Sequence, residues 1–430
     1  MHSHLEINPS VYSKKINQIL WLFAMILPII FLPLNLEFNI FIVIKGALLF
    51  CTGVILFCLL ILAKKWDKAP IVKVFLALLI CQFVSSIFAF KPLLAFIGFS
   101  SNAGRFEGFV TLFSYGILFY AAKNHMVITK KRMITFFSSL TIISLYAFIQ
   151  YLECDPMVIY WHFNKMIFST IGNQNFLGSL EVMLTILALC LFIKTKKWYY
   201  GLFFTVFFAT LLMSQTRSVW IGFFMVFMLI MVSVLFFNRD KIKSFGIALA
   251  LMAAAAIGLN ALKDDVLIKR SNSIKKELEL KSDFGGSGRI AIWKMTFNIV
   301  KNHPYLGTGP ENLSEALSKE QKTNVNNYYK VKKQTVDRAH NEYLHIAAVT
   351  GIPALICYLL MLFLITINNI KFIFKDKIQT ALLFGVLGYL IQAFFNISVV
   401  SVAPIFWILL GLLAKTYKDP LTNSEEVIAG

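Results

Sequence analysis

Several ionisable side chains stand where long apolar runs of the sequence begin. Arg105 and Glu107 open one run, Arg217 opens another, and His340 immediately precedes a third. A charge in hydrocarbon costs several kcal/mol, so an ionisable group at such a position is a functional candidate by default. Groups that collect at the ends of apolar runs suit chemistry at a membrane surface, on a substrate whose tail lies in the bilayer. A histidine titrates near neutral pH, which makes His340 a candidate base.

Two further charges, Lys45 and Glu181, lie inside apolar runs. Lys45 lies ~10 Å below the end of its run at ~1.5 Å per residue. The two side chains could pair with each other, and an ion pair or a snorkelling side chain that fixes helix packing accounts for both. An ion-coupled transporter would instead place its polar groups near the midplane of the membrane, where these runs carry almost none.

The composition selects the class of protein to which these residues belong. Of 430 residues, 58% are hydrophobic and only 15% are charged, whereas a soluble domain carries about 25% charged residues. A soluble single-core protein, a disordered chain and a nucleic-acid-binding protein are all excluded, because none combines this apolar content with a net charge of +19. The six cysteines show no spacing typical of disulfides or metal ligands. We therefore expect a multi-pass membrane protein whose surroundings are the lipid bilayer.

The apolar runs predict an all-α polytopic membrane protein with about twelve transmembrane helices. A bilayer-crossing helix needs about 20 mostly apolar residues. Runs of this kind lie near 16–34, 38–63, 71–90, 106–122, 133–152, 176–193, 198–213, 217–237, 242–259, 343–368, 378–397 and 398–414.

The distribution of basic residues predicts the orientation of these spans. With the N-terminus in the cytoplasm, the inside segments hold 21 Lys and Arg residues and the short outside loops hold four, as the positive-inside rule requires. Both termini are then cytoplasmic. The chain divides into a nine-helix membrane part (1–259), one large, partly helical extracytoplasmic loop that carries part of the active site (260–341), and a three-helix part with a cytoplasmic tail (342–430).

The large loop contains a predicted amphipathic helix. Residues 289–301 carry apolar side chains at helical spacing. Ser287 and Gly288 begin this helix, and Pro304 ends it because proline cannot continue the hydrogen-bond ladder. Arg289 stands at its N-terminal end. A Trp anchor and several lysines predict that the helix lies on the membrane surface or caps the bundle.

Two other features of the loop argue against a nucleotide or metal site. The turn-rich stretch 304–312 contains Gly307 and Gly309, but no strand precedes this pair, so we predict no nucleotide-binding fold. His340 and His345 are five residues apart, a poor spacing for one helix face. The sequence therefore predicts neither a zinc site nor any other cofactor, and His345 is interpreted as structural.

Five segments of the chain resemble the O-antigen ligase and O-antigen polymerase superfamily of integral membrane glycosyltransferases, which includes bacterial protein O-oligosaccharyltransferases. They occur in the family's order and on the predicted outer side. The segments are NAGRFEGFVTLFSYG (102–116), TIGNQNFLGS (170–179), SQTRSVWIG (214–222), GSGRIAIWKMTFNIVKNHPYLGTGPEN (286–312) and RAHNEYLHIAAVTGIPA (338–354).

The resemblance implies a fold and an activity. The fold is GT-C-like, with about a dozen spans and one large loop, and the location is the bacterial cytoplasmic (inner) membrane with the active site facing outward. The activity is transfer of a glycan from a polyprenyl-diphosphate carrier to an extracytoplasmic lipid, glycan or protein acceptor, such as a lipid A-core. The resemblance also implies that no metal takes part. The acidic pair nearest to a metal-binding arrangement is Glu153 and Asp155.

The same resemblance assigns roles to individual residues. The arginine that this family carries in an R-x3-W context corresponds to Arg289, with Trp293 behind it. The arginine of its S-x-x-R stretch corresponds to Arg217. The histidine of its H-N/S-x-x-L stretch corresponds to His340, with Asn341 beside it.

The chemistry of the reaction is consistent with these assignments. A departing diphosphate must be stabilised without a metal, and guanidinium groups match phosphate oxygens bidentately and stay charged. Arg105 and Arg338 are secondary candidates for this contact, and Asn173 and Asn175 are further substrate-binding candidates. The acceptor hydroxyl must lose a proton, and His340 could take it or could instead hydrogen-bond the diphosphate.

Three alternative functions remain open from the sequence. Polymerisation of glycan repeat units and transfer to protein hydroxyls are reactions of the same superfamily. A flippase for lipid-linked glycans belongs to another class. It would need charge along a central cavity, and the middle and inner thirds of the spans are nearly uncharged.

Overall fold

The structure is a computed structural model that describes residues 9–31, 40–64, 66–99, 105–157, 167–263, 288–373 and 376–415. Within these ranges the chain forms seventeen α-helices and no strand. In chain order the helices are α1 (Pro9–Ile26), α2 (Ile40–Ala63), α3 (Pro70–Ile87), α4 (Pro92–Ile97), α5 (Phe109–His125), α6 (Lys130–Tyr151), α7 (Gln174–Thr195), α8 (Trp198–Met213), α9 (Arg217–Phe237), α10 (Ile242–Leu262), α11 (Arg289–Asn302), α12 (Leu313–Glu320), α13 (Lys322–Lys332), α14 (Glu342–Thr350), α15 (Ile352–Ile370), α16 (Lys377–Ala393) and α17 (Ala403–Leu413).

The helices confirm the all-α polytopic class. Among the described residues, seven helices are long and apolar enough to cross a membrane, namely α2, α3, α6, α7, α9, α10 and α15. The helices α8, α16 and α17 are apolar but shorter. The total of twelve spans and their orientation remain predictions.

The tenth predicted span, 343–368, is wrong as a single helix. Gly351 has φ 88° and separates α14 from α15. A Cβ atom at Gly351 would lie 2.1 Å from the carbonyl oxygen of Tyr305. The break therefore depends on a distant segment that approaches the backbone at this point, which the apolar run itself does not reveal. The other eleven runs each correspond to one helix.

Helix α7 forms the centre of one half of the bundle. It is apolar on all sides, as expected for a helix without a solvent-facing surface, and its apolar window is completely buried. α8, α9 and α16 pack around it, while α5 forms a second centre with α1, α2, α3 and α17.

Small residues allow three of these helices to approach closely, as is typical of membrane helix packing. A Cβ atom at Gly222 of α9 would lie 2.9 Å from the carbonyl oxygen of Gly388 in α16. A Cβ atom at Gly178 of α7 would lie 2.7 Å from Val219 of α9. The position of α9, and of Arg217 at its start, is therefore set by close contacts with α7 and α16.

The described part of the large loop has a small core of its own. α11 buries Ile292, Met295 and Ile299 against α12, α13 and α14. Its bounds agree with the predicted helix, and Gly288 precedes its first residue, whereas Ser287 lies outside the described residues. We call the end of the bundle that carries this core the loop end.

A segment of residues 304–310, which we call the strap, connects α11 to the C-terminal end of α14. The backbone N–H groups of Thr308 and Gly309 donate to the carbonyls of Ala348 and Val349, at 3.0 and 2.8 Å. The last turn of a helix leaves such carbonyls without intrahelical partners. The glycine-rich stretch thus caps α14.

The two interior charges do not pair with each other, so that suggestion from the sequence is wrong. Lys45 donates to the carbonyl of Thr170 at 2.5 Å. Glu181 accepts from the Ser144 hydroxyl at 3.1 Å. Both side chains are completely buried, and each is held by a neighbouring helix or turn.

Candidate active site

Arg217 is the first residue of α9, and the turn before it contacts the start of α7. The Thr216 hydroxyl lies 3.3 Å from both the Asn175 side-chain oxygen and the Gln174 carbonyl. The Asn396 amide donates to the Asn175 carbonyl at 3.3 Å. The N-terminal ends of α7 and α9 thus meet at the loop end of the bundle, where their helix dipoles favour an anion.

Asn173 and Asn175 lie at the start of α7 and are half-buried. Asn173 caps α7, because its side-chain oxygen accepts from the Asn175 backbone N–H at 2.8 Å. Neither side-chain NH₂ group makes a hydrogen bond with a described residue. Both donors are therefore available to a ligand beside Arg217.

Arg289 reaches the same region from the loop. It is the first residue of α11 and is half-buried. Burial, and after it the positive charge of Arg217, lowers the pKa of Arg289. The two guanidinium groups are thus close enough to repel each other. A bound anion between them would remove this repulsion.

The two arginines also occupy positions that disfavour a cation. The N-terminal end of a helix carries a partial positive charge, and a cation in the first turn costs about 0.3–1 kcal/mol. Arg217 and Arg289 each occupy such a position. Both placements are unfavourable, and together they concentrate positive charge in one region. This arrangement indicates an anion-binding site.

His340 lies before α14, where the charge of Arg289 acts on it. Its φ of 50° is unusual for a residue with a side chain. Burial lowers the pKa of His340 to about 4, and the charge of Arg289 contributes to the same shift. The imidazole is therefore neutral at physiological pH and can accept a proton or a hydrogen bond. Asn341 caps α14, because its side-chain oxygen accepts from the Leu344 N–H at 3.0 Å.

Arg105 extends the cationic region toward solvent. Its guanidinium forms a 2.6 Å ion pair with Asp337, and both side chains are partly exposed. Burial alone would raise the pKa of Asp337, but the charges of Arg105 and Arg338 outweigh it, so this pKa is lowered. Arg105 therefore already has a carboxylate partner that an incoming anion would have to displace or share.

Arg338 is held inside the protein. Its guanidinium forms a 2.5 Å ion pair with Glu311, with both side chains 4% exposed. A second nitrogen of Arg338 lies 3.0 Å from His345 Nε2, in keeping with the interpretation of His345 as structural. Burial lowers the pKa of Arg338, but Glu311 and Asp337 raise it by more. Arg338 thus remains a cation that braces the loop.

Trp293, one turn after Arg289, anchors α11 to the end of α16. Its ring packs edge-on against Phe394 with 5.6 Å between centroids, and against Phe395 at 6.1 Å. Its indole N–H is buried and makes no hydrogen bond with a described residue. This contact fixes the height of Arg289 above the bundle.

Sequence analysis missed the role of Glu311. One of its side-chain oxygens accepts from the backbone N–H groups of Arg105 and Glu107, at 3.0 and 2.9 Å, as well as from Arg338. The buried Glu311 carboxylate thereby joins the segment before α5 to Arg338. Its sequence signal, a lone acid within GPEN, gives no indication of these partners.

A cavity of about 70 Å³ with a largely apolar lining lies beneath the Arg338–Glu311 pair. Glu107 and Glu342 both line it, together with Gln82 and several aromatic side chains. Glu107 accepts from the Tyr115 hydroxyl at 2.9 Å. The cavity holds a few water molecules at most, so it supports the loop rather than admitting a glycan.

No group of three or more His, Cys, Asp and Glu side chains is arranged to hold a metal ion within the ranges that the structure describes. Of the acidic pair singled out in the sequence, Asp155 accepts from Tyr146 and Gln150, at 2.9 and 3.0 Å. Glu153 forms a 2.7 Å ion pair with Lys263. Both carboxylates have partners in the protein.

The geometry thus brings together a helix-end arginine from the bundle, a helix-end arginine from the loop and a neutral histidine. Comparison with curated proteins gives no match. Residues 201–359 match the family model described as O-Antigen ligase, a range that contains Arg217, Arg289 and His340. This match covers over a third of the chain and supports the resemblance to the O-antigen ligase superfamily found in its motifs.

Proposed function

We propose that the protein transfers a glycan from a polyprenyl-diphosphate carrier to a hydroxyl group of an acceptor at the loop end of the bundle. The match of residues 201–359 to the O-antigen ligase family model supports an O-antigen ligase-like membrane glycosyltransferase. The donor, the acceptor and the residue roles are our proposal. The observation that supports it is the electrostatic interaction of Arg289 with both Arg217 and His340, three residues from separate parts of the chain.

Each of these groups has a part in the proposed reaction. The acceptor oxygen bonds to the anomeric carbon as the bond from that carbon to the diphosphate oxygen breaks. His340 takes the acceptor proton, and the electron pair of the broken bond leaves with the diphosphate. Arg217 and Arg289 stabilise the leaving group, because preorganised charges in a partly dehydrated site act strongly on developing charge.

Donor binding would also prepare the base. In the free protein, burial and the charge of Arg289 hold the pKa of His340 at about 4, where it is a weak base. A diphosphate beside the arginines offsets their positive charge, so it raises this pKa toward neutrality. The histidine thus becomes a stronger base when the donor is present.

The test is a transfer assay with purified full-length protein and a defined undecaprenyl-diphosphate glycan. We expect Arg289→Ala and His340→Ala each to lose on the order of a hundredfold in turnover, as removal of one preorganised group commonly does. Lys294→Ala is the matched control, since Lys294 is exposed on the same helix. Near-normal turnover by either site variant in folded protein would refute the assignment.

The product of this assay identifies the acceptor reaction. A single capped acceptor indicates a ligase, a ladder of repeats indicates a polymerase, and a glycosylated protein indicates an O-oligosaccharyltransferase. Movement of donor across vesicles without covalent transfer would instead favour a flippase.

The proposed location is the bacterial cytoplasmic membrane, with the loop end outside and both termini in the cytoplasm. In a cysteine-free background, a cysteine replacing Lys330 of α13 should react with an impermeant maleimide added to intact cells. A cysteine replacing Lys241 should react only after permeabilisation. The reverse pattern would overturn the orientation.

A further inference from the structure

Residues 394–396, which we call the connector, follow α16 and contact both the loop and the bundle. On the loop side, the rings of Phe394 and Phe395 pack against Trp293 of α11, with 5.6 and 6.1 Å between ring centroids. On the bundle side, Asn396 is 2% exposed and lies among polar groups of α7 and α16. The connector therefore joins the loop helix that begins with Arg289 to the interior of the bundle.

The Asn396 side chain is oriented by its hydrogen bonds. Its amide NH₂ donates to the Ser179 hydroxyl at 2.9 Å, to the Gln392 side-chain oxygen at 3.2 Å and to the Asn175 carbonyl at 3.3 Å. A backbone carbonyl can only accept, so the amide nitrogen must face it. Ser179 also donates to Gln392 at 3.1 Å, and both of these side chains are buried. The position of Asn396 is thus set by α7 and α16 together.

From Asn175 the contacts continue to Arg217. The Asn175 side-chain oxygen accepts from the Thr216 hydroxyl at 3.3 Å, and Thr216 immediately precedes α9, which begins with Arg217. On the loop side, Trp293 lies about one turn after Arg289 on α11. The connector is therefore in the middle of a continuous series of contacts that runs from Arg289 to Arg217.

The other contacts of the loop lead to different parts of the bundle. The strap bonds to α14, and Glu311 bonds to the segment before α5. Asn396 instead bonds directly to α7, whose first turn contacts Thr216. Loss of the Asn396 contacts would therefore leave the loop attached but allow Arg289 to move relative to Arg217. Repulsion between the two positive charges favours such a movement.

We infer that Asn396 is a positioning residue, which sets the distance between Arg217 and Arg289 so that both guanidinium groups reach one diphosphate. The inference rests on the proposed function, because it takes these arginines to hold the leaving group. Forked contacts with phosphate oxygens have a specific geometry, so two of them on one diphosphate require a fixed spacing of the guanidinium groups. A misplacement of about 1 Å in such a site can cost on the order of a hundredfold in rate.

The first measurement determines the position of the two helices without any donor or acceptor. In a cysteine-free background, Ile221→Cys of α9 and Lys294→Cys of α11 provide spin-label sites, since both side chains are exposed. Each label lies within about two turns of its arginine. Pulsed electron paramagnetic resonance on full-length protein in nanodiscs gives the distribution of distances between the labels. We expect Asn396→Leu to shift or broaden this distribution.

Asn369→Leu is the matched control. Asn369 is 5% exposed, and its amide donates to the Leu413 carbonyl at 2.9 Å, which joins α15 to α17 at the end of the bundle away from the loop. The same substitution there removes a buried amide that also bonds to a neighbouring helix. It should leave the distance distribution unchanged.

The second measurement is transfer of the undecaprenyl-diphosphate glycan. We expect kcat of Asn396→Leu to fall about tenfold to a hundredfold, and kcat of Asn369→Leu to stay near that of the wild-type protein. Phe394→Ala breaks the same link from the loop side, and its ring is 46% exposed, so the fold should tolerate its loss. It should change the distance distribution as Asn396→Leu does. The two substitutions combined should add little to either one, because they interrupt one series of contacts.

A wild-type distance distribution in Asn396→Leu would overturn the inference, and Phe394→Ala decides the question if Asn396→Leu does not fold. An equal change in Asn369→Leu would also overturn it, as would a changed distance with a wild-type kcat while Arg289→Ala is impaired. These outcomes leave the proposed function intact. Near-normal turnover by Arg289→Ala would instead refute the proposed function, whatever the labels report.

Discussion

Arg217 and Arg289 each begin a helix, one in the bundle and one in the loop, and the charge of the first lowers the pKa of the second. Two guanidinium groups are held near each other although repulsion and both helix dipoles oppose the arrangement. The surrounding structure holds this arrangement, and the proposed diphosphate would offset the two positive charges.

The first prediction concerns the geometry of this pair. Arg289→Lys keeps the charge but cannot make the forked contact with phosphate oxygens, so we expect kcat/KM to fall by on the order of tenfold or more. Steady-state kinetics on the undecaprenyl-diphosphate glycan provide the measurement. Because the two arginines are proposed to contact one ligand, Arg217→Ala combined with Arg289→Ala should lose less than the product of the single losses. A kcat/KM of Arg289→Lys equal to that of the wild-type protein would show that only the charge of this residue matters.

The second prediction concerns pH. A neutral His340 is needed as the base, and its pKa in the free protein is about 4. The kcat/KM profile reports the free enzyme, so it should stay level as pH falls from 7 and decline only near pH 4. The kcat profile reports the donor-bound enzyme, where the diphosphate raises this pKa, so kcat should decline at a higher pH. Acid limbs at the same pH in both profiles would contradict the proposed coupling between donor and base.

The third prediction concerns the brace beneath the site. Glu311→Gln leaves the buried Arg338 cation without its carboxylate, which typically costs about 3–5 kcal/mol. We expect a clearly lower melting temperature in detergent. Glu315→Gln is the matched control, because Glu315 pairs with Lys91 and Lys319 at the partly exposed surface, where such pairs contribute about 0–1 kcal/mol. Similar melting temperatures for the two variants would refute a stabilising role for the Arg338–Glu311 ion pair.

The fourth prediction concerns the junction between α14 and α15. In Gly351→Ala the new Cβ would lie 2.1 Å from the Tyr305 carbonyl oxygen, at a backbone φ of 88°. The backbone conformation alone costs about 1–3 kcal/mol, and the strap must also move. We expect lower stability and lower transfer activity. Gly258→Ala serves for comparison, because a Cβ there meets nothing within 4 Å, and in a helix this change is neutral or slightly stabilising.

Local features of the molecule could be predicted from the sequence. The bounds of α11 follow from helical periodicity and from Pro304, which no helix interior tolerates. Most of the membrane helices follow from apolar runs. Both kinds of signal lie within the segment itself, so the rest of the chain does not have to be known.

The remaining features depend on contacts between distant segments. The apolar run around Gly351 continues without interruption, and only the approach of Tyr305 explains why the helix breaks there. Glu311 acquires its role from Arg338 and from the backbone before α5, which lie far from it in the sequence. Arg217 and Arg289 begin helices, as their positions in the sequence suggest. The polar groups that surround these arginines became apparent only in the fold.

The strap affects which substitutions can abolish activity. It joins α11, which carries Arg289, to α14, which follows His340, whereas Arg217 is rooted in the bundle. The proposed catalytic residues are therefore divided between the loop and the bundle. A lesion that undocks the loop from the bundle separates the leaving-group contacts while every proposed catalytic residue remains present. Loss-of-function substitutions should accordingly cluster at the docking contacts of Trp293 and Glu311, remote from the reacting atoms.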